Sequence, residues 1–394
     1  MVSLMLNIRA LHVSWGKMQG VFLHRRVFTQ MKKETVTTNQ ITEGVIWKQL
    51  LLFFFPIVLG TFFQQLYNTA DTIVVGRFVS KEALAAVGGS AAQIVGLIVG
   101  FFVGLASGAS VIISQFYGAK NRVQLNRALH TAYAFSIIGS IFITVLGILI
   151  APWMLELMHT PQETMADALL YLRIYFAGII FVFIYNVGSS ILRAMGDSRR
   201  PLYYLIVCCI LNIVLDIVLV IVFHMGVAGV SIATIFSQGV SAVLITRALM
   251  HSDDLYQLEF RKIRFHKSAL ISLIWVGCPT GIQSVLYSVT NMLIQTFLNN
   301  LGTDTVAAWS AFGKIDSLYW MVNNAFGIAV TTFVGQNFGA GKYDRMKKSV
   351  RIGLCMGLCT ALTLTLIFYN FGTPLFRLFT SDENVVSIGM QMLY

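Results

Sequence analysis

Charge is what this sequence has least of. Asp, Glu, Lys and Arg together make up 11% of its 394 residues, against roughly 25% in an ordinary soluble domain. Apolar residues make up 56% and the mean hydropathy is +0.74, so a water-soluble fold is excluded. Cysteine is scarce too. Cys208, Cys209, Cys278, Cys355 and Cys359 all fall inside apolar runs without a paired CxxC spacing, which excludes a disulfide framework and a thiolate metal centre. They read as small apolar packing residues. The seven histidines are scattered and sit mostly at loops, and no Ser/His/Asp constellation occurs within the apolar stretches. The clustered nucleophile, metal or acid/base set of a membrane enzyme is therefore lacking, and no cofactor is expected. Residues 1–47 lack a long apolar core followed by a small-residue cleavage site. They read as a cytoplasmic N-terminal segment, with Met31 a candidate natural start and residues 1–30 dispensable.

What the sequence has in quantity is apolar runs of about 20 residues, the length that crosses a bilayer as a helix. They fall at 48–76, 83–109, 125–151, 167–190, 202–224, 228–250, 268–298, 306–333 and 349–371, with a tenth beginning near 385. The runs are continuous rather than alternating, which excludes a β-barrel; the fold class is all-α and polytopic. The basic excess, 28 Lys and Arg against 17 Asp and Glu, is segregated. Lys120, Arg122 and Arg127 follow the second run, Arg193, Arg199 and Arg200 the fourth, Arg247 and 261–267 the sixth, and 342–351 the eighth. Little beyond Arg77, Lys81 and Arg377 follows the odd-numbered runs. Positive charge collects on the cytoplasmic side, so the N-terminus is inside. The surplus is a topology signal, and no nucleic-acid partner is expected.

Self-similarity at an offset of about 222 residues divides the chain. Pro56 pairs with Pro279, Ala85-Ala86 with Ala307-Ala308, and Pro152 with Pro374. Ser114-Gln115-Phe116-Tyr117-Gly118-Ala119 pairs with Gly335-Gln336-Asn337-Phe338-Gly339-Ala340, each closing the second run of its half before a basic cluster. Six runs separate equivalent points, and an even number means that both halves enter the membrane in the same direction. Two six-helix lobes related by a pseudo-twofold axis along the membrane normal follow, with a cleft between them. Residues 48–250 form the first lobe, 251–267 a cytoplasmic linker, and 268–394 a partial second lobe of three helices and the start of a fourth. Measured against the first half, the second stops short by about 78 residues.

An ionised Asp at a helix centre costs roughly 2.5–3.5 kcal/mol on insertion scales, so intramembrane carboxylates persist where they have partners or a task. Asp71 follows the apolar part of the first run; Asp216 lies deep in the fifth, with Asn212 four residues before it and on the same helix face. Thr234 offers a hydroxyl at similar depth in the sixth. Two carboxylates, an amide and a hydroxyl make an all-oxygen set suited to a proton or a hard monovalent cation such as sodium. The alternative is structural, with Arg77 as a snorkelling partner of Asp71 and Asn212 satisfying Asp216 within its own helix. Lys314 and Asp316, two apart in the eighth run, do not face each other on a helix; they line the cleft or act as interhelical glue. Pro56 and Pro279 each remove a backbone hydrogen bond and permit a kink. Gln64, Tyr67 and Asn186 are candidate lining groups for a flat or cationic guest.

These stretches resemble the multidrug and toxic compound extrusion (MATE) transporters of the bacterial NorM/DinF type. The resemblance runs from about residue 45 to the end. It is carried by Asp71-Thr72-Ile73-Val74-Val75-Gly76-Arg77, Gln115-Phe116-Tyr117-Gly118-Ala119, Arg193-Ala194-Met195-Gly196-Asp197 and Gly335-Gln336-Asn337-Phe338-Gly339-Ala340. It implies twelve helices in two lobes, and export of organic cations or other amphipathic compounds across a bacterial plasma membrane in exchange for protons or sodium ions. Matched by position, the family's first-lobe cation site falls on Asp71, Asn212, Asp216 and Thr234, its bending proline on Pro56, and cavity positions on Tyr67 and Asn186. NorM-type members carry a glutamate eight residues after the seventh-helix proline, where this chain has Tyr287, so the resemblance favours coupling in the first lobe. A flippase for lipid-linked sugars shares the two-lobe design and is the alternative. It usually carries several cationic residues in its cavity, for which only Arg173 and Lys314 are available here. The expected partners are small amphipathic or cationic substrates and the bilayer, and the expected assembly is a monomer.

Overall fold

The structure is a computed structural model that describes residues 41–252, 256–299, 303–377 and 382–393; the candidate start at Met31 lies outside them. Eleven α-helices follow one another among the described residues. They are α1 (Ile46–Phe78), α2 (Lys81–Gly88), α3 (Ser90–Gly118), α4 (Arg122–Leu157), α5 (Gln162–Ala194), α6 (Arg199–Asp216), α7 (Gly226–Met250), α8 (Lys267–Asn299), α9 (Thr303–Gly339), α10 (Tyr343–Arg377) and α11 (Glu383–Leu393). A π-helical stretch, Ile217–Val222, continues α6. Among the described residues, eight spans are long and apolar enough to cross a membrane, with α2 and α3 counted together.

The apolar runs mark these helices but not their ends. α4 begins at Arg122 rather than 125, because Asn121 caps it by accepting from the Gln124 amide at 3.1 Å. The second run, expected as one helix over 83–109, is instead broken at Gly89 and continues to Gly118. Its first piece, α2, has its own cap, with Ser80 accepting from the Ala83 amide at 3.0 Å. The cysteines divide as well. Cys208 and Cys209 are buried, whereas Cys355 and Cys359 are exposed on α10, a correction to reading all five as packing residues.

One apolar core joins α3, α4, α5 and α7 around Ile113, Leu125, Tyr133 and Ile245 and reaches Leu273 and Val276 of α8. A second lies around Ile94, Phe176 and Ile179. A third is shared between the halves, with Phe53, Phe54 and Ile57 of α1 against Phe326, Ala329 and Phe333 of α9. There Phe54 stacks on Phe326 at 4.0 Å, and Phe53 meets Phe333 edge-on at 6.1 Å.

The halves meet most closely along α3. Gly104 and Gly108, a GxxxG pair, face Gly277 and Gly281, a second such pair on α8. A Cβ added at Gly104 would lie 2.5 Å from the Gly281 amide nitrogen, and one at Gly108 would lie 2.5 Å from that of Gly277. Small residues permit this backbone approach, which is how membrane helices gain packing where burial from water gives no drive. At the end of α3 the repeated motif meets itself. A Cβ on Gly118 would run into the Gln336 carbonyl, and one on Gly339 into the Gln115 carbonyl. Gln115 is the repeat equivalent of Gln336, and Gly118 of Gly339, so the contact is self-complementary about the pseudo-twofold.

The same basic end carries a polar clamp. Arg345 of α10 donates to the carbonyls of Ile41 (3.1 Å), Glu43 (2.6 Å) and Gly44 (2.7 Å), and Lys342 to that of Thr42 at 2.9 Å. The shared core ends near Val58. Beyond it Phe62, Leu66 and Asn68 of α1 and Lys314, Leu318 and Trp320 of α9 are exposed, so the α1/α9 seam is open toward the other end.

Gly118→Ala and Gly339→Ala are each expected to lower the thermal midpoint of the purified protein, at an overpacking cost of about 1–3 kcal/mol. Gly313→Ala, whose added Cβ meets nothing within 4 Å, should hold or raise it. Equal midpoints for all three variants would remove the role given to backbone contact.

Candidate functional site

Three helices each bring a pair of polar side chains, four residues apart, to one place. On α1 the pair is Tyr67 and Asp71, on α6 Asn212 and Asp216, and on α7 Thr234 and Gln238. Four residues is about one turn, so each pair forms a short stripe on its helix. All six side chains are buried, Asp216 completely and Asp71 to 7% exposure. Thr234 Oγ1 donates to Asp71 Oδ2 at 3.1 Å and also lies 3.0 Å from its own helix's Val230 carbonyl. A hydroxyl has one hydrogen to share between them. Gln238 Nε2 donates to the Tyr67 hydroxyl at 3.0 Å.

Asn212 and Asp216 approach the Asp71 carboxyl without forming hydrogen bonds of ordinary geometry. Asp71 Oδ1, both Asp216 oxygens, both Asn212 polar atoms and Gln238 Oε1 are left without a partner. Buried polar atoms are normally satisfied, and this many orphans in one cluster mark it off from the surrounding core. Among the described residues no Lys or Arg forms an ion pair with either carboxylate. Arg77 is exposed. The structural alternative, in which Arg77 and Asn212 satisfy the two acids, is not the arrangement found. Two carboxylates taken out of water without a basic partner are costly when both are ionised, so the geometry suits a proton or a small cation between them.

The sequence reading missed three contributors. Gln238 completes the α7 pair. Tyr171 and Tyr175 of α5, stacked at 6.0 Å, are buried beside Asp71, and Tyr171 also lies near Asp216. Their four-residue spacing was readable, but nothing in it says that they converge with the acids. The π-helical turns that begin directly after Asp216 were equally invisible; such turns widen a helix and recur at functional positions.

The other candidates lie apart from this cluster. Gln64 is half-buried on the α1 stripe of Tyr67 and Asp71. Pro56 is inside an otherwise continuous α1, directly after the Phe53 and Phe54 contacts with α9. Asn186 lines a separate small cavity with Phe102, Phe135 and Phe183, and its amide donates to its own helix's Val182 carbonyl at 2.8 Å. Lys314 is exposed and forms no ion pair with half-buried Asp316, which lies beside Trp320. Tyr287 packs edge-on against Trp320 at 5.5 Å. Arg173 and Lys314, the two cationic residues available to the flippase alternative, are both exposed.

Comparison with known proteins agrees with this architecture. The MatE family model matches residues 56–218 and 279–394. The chain is 32% identical over 354 residues to the probable multidrug resistance protein YpnP of Bacillus subtilis (strain 168), covering 89% of this chain and 78% of that protein. It is 28% identical over 373 residues to the probable multidrug resistance protein YoeA of the same strain, covering 92% and 80%. Among solved structures, it resembles a multidrug resistance MATE family transporter of the MOP superfamily in an outward-facing conformation. That match has a TM-score of 0.84 and 23% identity, and covers 92% of this chain and 80% of the other.

Asp216→Asn keeps the side chain's shape and removes one of the two unpaired charges. In sodium-free alkaline buffer its thermal midpoint is expected to equal or exceed the parent's. A fall equivalent to breaking a buried ion pair, about 3–5 kcal/mol, would show that Asp216 has a basic partner after all.

Proposed function

The chain belongs to the MatE family, and from that premise we propose that it is a cation-coupled antiporter exporting organic cations or other amphipathic compounds. Its place is a bacterial plasma membrane, with the N-terminus and the Lys/Arg-rich loops on the cytoplasmic side. The observation that carries the reading is the convergence of Asp71, Asn212, Asp216 and Thr234, with six unpartnered polar atoms in the cluster and, among the described residues, no Lys or Arg paired to either acid. A proton or sodium ion is the coupling species that this set would hold.

The two halves of α1 give the site a route to the cleft. Residues through Ile57 are held against α9, while Asp71 lies fifteen residues beyond Pro56, or about 22 Å along a straight helix. Pro56 has no amide hydrogen, so the turn there lacks a backbone bond. Neutralising Asp71 changes its attraction for Thr234 and its repulsion of Asp216. The outer part of α1 then bends at Pro56 while the inner part stays in the shared core. Each charge carried across the membrane potential contributes roughly 2.3 kcal/mol per 100 mV, enough to drive the counter-movement of a substrate. Tyr287, Trp320 and half-buried Asp316 give the second half an aromatic and acidic surface suited to a flat cation. A monomer suffices for this cycle.

Vesicles carrying the chain are expected to move a fluorescent organic cation against its gradient when a proton or sodium gradient is imposed. Asp71→Asn and Asp216→Asn should each reduce the ion-driven flux by about tenfold or more, a loss of at least roughly 1.4 kcal/mol in the coupled step. Unimpaired flux in both variants would sink the site assignment.

A further inference from the structure

At the basic end, the start of α4 and the linker into α8 line an open cavity of about 280 Å³. Its walls include Arg122, Asn126, Arg127, His130, Lys262 and Arg264. The linker is fixed to α4 by directed hydrogen bonds. The Glu259 amide donates to His130 Nε2 at 3.1 Å, and His130 Nδ1 lies 2.7 Å from the Asn126 carbonyl. Both ring nitrogens are thus engaged, one by the linker and one by its own helix, and His130 is a wall strut. The His266 amide donates to Thr131 Oγ1 at 3.1 Å, closing the other side.

The charge inside is one-sided. Lys262 pairs with Glu259 at 2.5 Å, which uses the carboxylate among the lining groups. Arg122, Arg127 and Arg264 form no ion pair among the described residues. Partial burial, and then Arg264 and Arg127, hold the His266 imidazole below the usual histidine range, as expected in a locally positive field. Beside the arginines stand exposed apolar side chains. Val123 is 61%, Phe260 58% and Phe265 41% exposed, and Phe260 and Phe265 bracket Arg261, Lys262 and Arg264 in sequence. Basic groups interleaved with exposed aromatics are the composition of a segment lying in the head-group zone of a bilayer.

We propose that this cavity binds a phosphate-bearing anion, held by Arg122, Arg127 and Arg264. Exposed Val123, Phe260 and Phe265 favour the phosphodiester head group of an anionic lipid in the adjoining leaflet as its source. The side of the membrane follows from the orientation proposed above, but binding itself does not depend on transport. Because the linker leads directly into α8, an occupied cavity ties the start of the second half to α4 of the first.

The test uses the purified full chain in detergent, with native mass spectrometry and the thermal midpoint as readouts. Dioctanoyl phosphatidylglycerol is expected to bind and raise the midpoint, and dioctanoyl phosphatidylcholine to do neither. The triple variant Arg122→Gln, Arg127→Gln, Arg264→Gln changes only exposed side chains and should bind the glycerol lipid at least about tenfold more weakly. Lys347→Gln, Lys348→Gln, Arg351→Gln removes the same charge from exposed positions on α10 and should leave binding unchanged. Displacement of the lipid by inorganic phosphate would support the phosphate chemistry with a soluble source; no displacement supports the lipid. Equal weakening in both triple variants would reduce the effect to general surface charge and overturn the proposal. So would a parent that binds neither the glycerol lipid nor inorganic phosphate.

Discussion

How near the two halves can come is decided by the side chains that their facing surfaces do without, and the rest of the molecule is arranged around that approach. Between helices in lipid the apolar surroundings are as good on one side as on the other, so association depends on contact at close range. Gly104, Gly108, Gly277 and Gly281 allow backbone contact midway along α3, and Gly118 and Gly339 allow it at the basic end. At that end a single motif serves both partners, because Gln115 and Gln336 each receive the other half's glycine. A repeat that packs on itself needs only one local solution, used twice. The aromatic core of α1 and α9 adds area to the same end, and the opposite end of that seam has no counterpart to it.

α1 consequently belongs to two environments. Up to Ile57 it is part of the inter-lobe core, and from Tyr67 it supplies polar groups to a cluster built wholly within the first six spans. On α8 the repeat does not extend to that chemistry. Where α8 corresponds to the Asp71 region the residues are Met292, Leu293 and Ile294, and Leu293 is exposed. α1 and α8 thus both carry residues that pack the halves together, and they differ where α1 carries its buried acid. The cost of the unpaired oxygen atoms beside Asp71 falls on α1, α6 and α7, which can adjust to it together.

Much of the fold was legible because the bilayer restricts the vocabulary. A continuous apolar run must be a helix there, so each run marks an observed helix, and the motif repeat divided the chain into two halves, although nothing in it says that the two motifs touch. Helix ends were less legible. Asn121 and Ser80 extend or restart helices in polar stretches that hydropathy does not weigh, and Gly89 breaks a run that is uniformly apolar. For the polar cluster, the pairing of Asn212 with Asp216 was visible as a four-residue spacing. The partners that make it a cluster, Gln238, Tyr171 and Tyr175, come from helices whose relative rotation no local pattern encodes. Asn186 shows the converse, a polar residue at a plausible depth whose amide is satisfied by its own helix and which faces a different cavity.

The Arg345 clamp has a consequence for how the chain is made. Its guanidinium holds carbonyls 301 to 304 residues earlier in sequence, that of Ile41 among them. A ribosome delivers residues 41–44 long before Arg345 exists, and membrane helices enter in the order of their synthesis. The segment that opens the first span therefore waits, without its hydrogen-bond donors, until α9 and the start of α10 have been threaded and docked. Contacts of this sequence separation form late and slowly. The closed end of the molecule is thus completed only after α9 and the start of α10 have emerged, although it contains the first of the described residues.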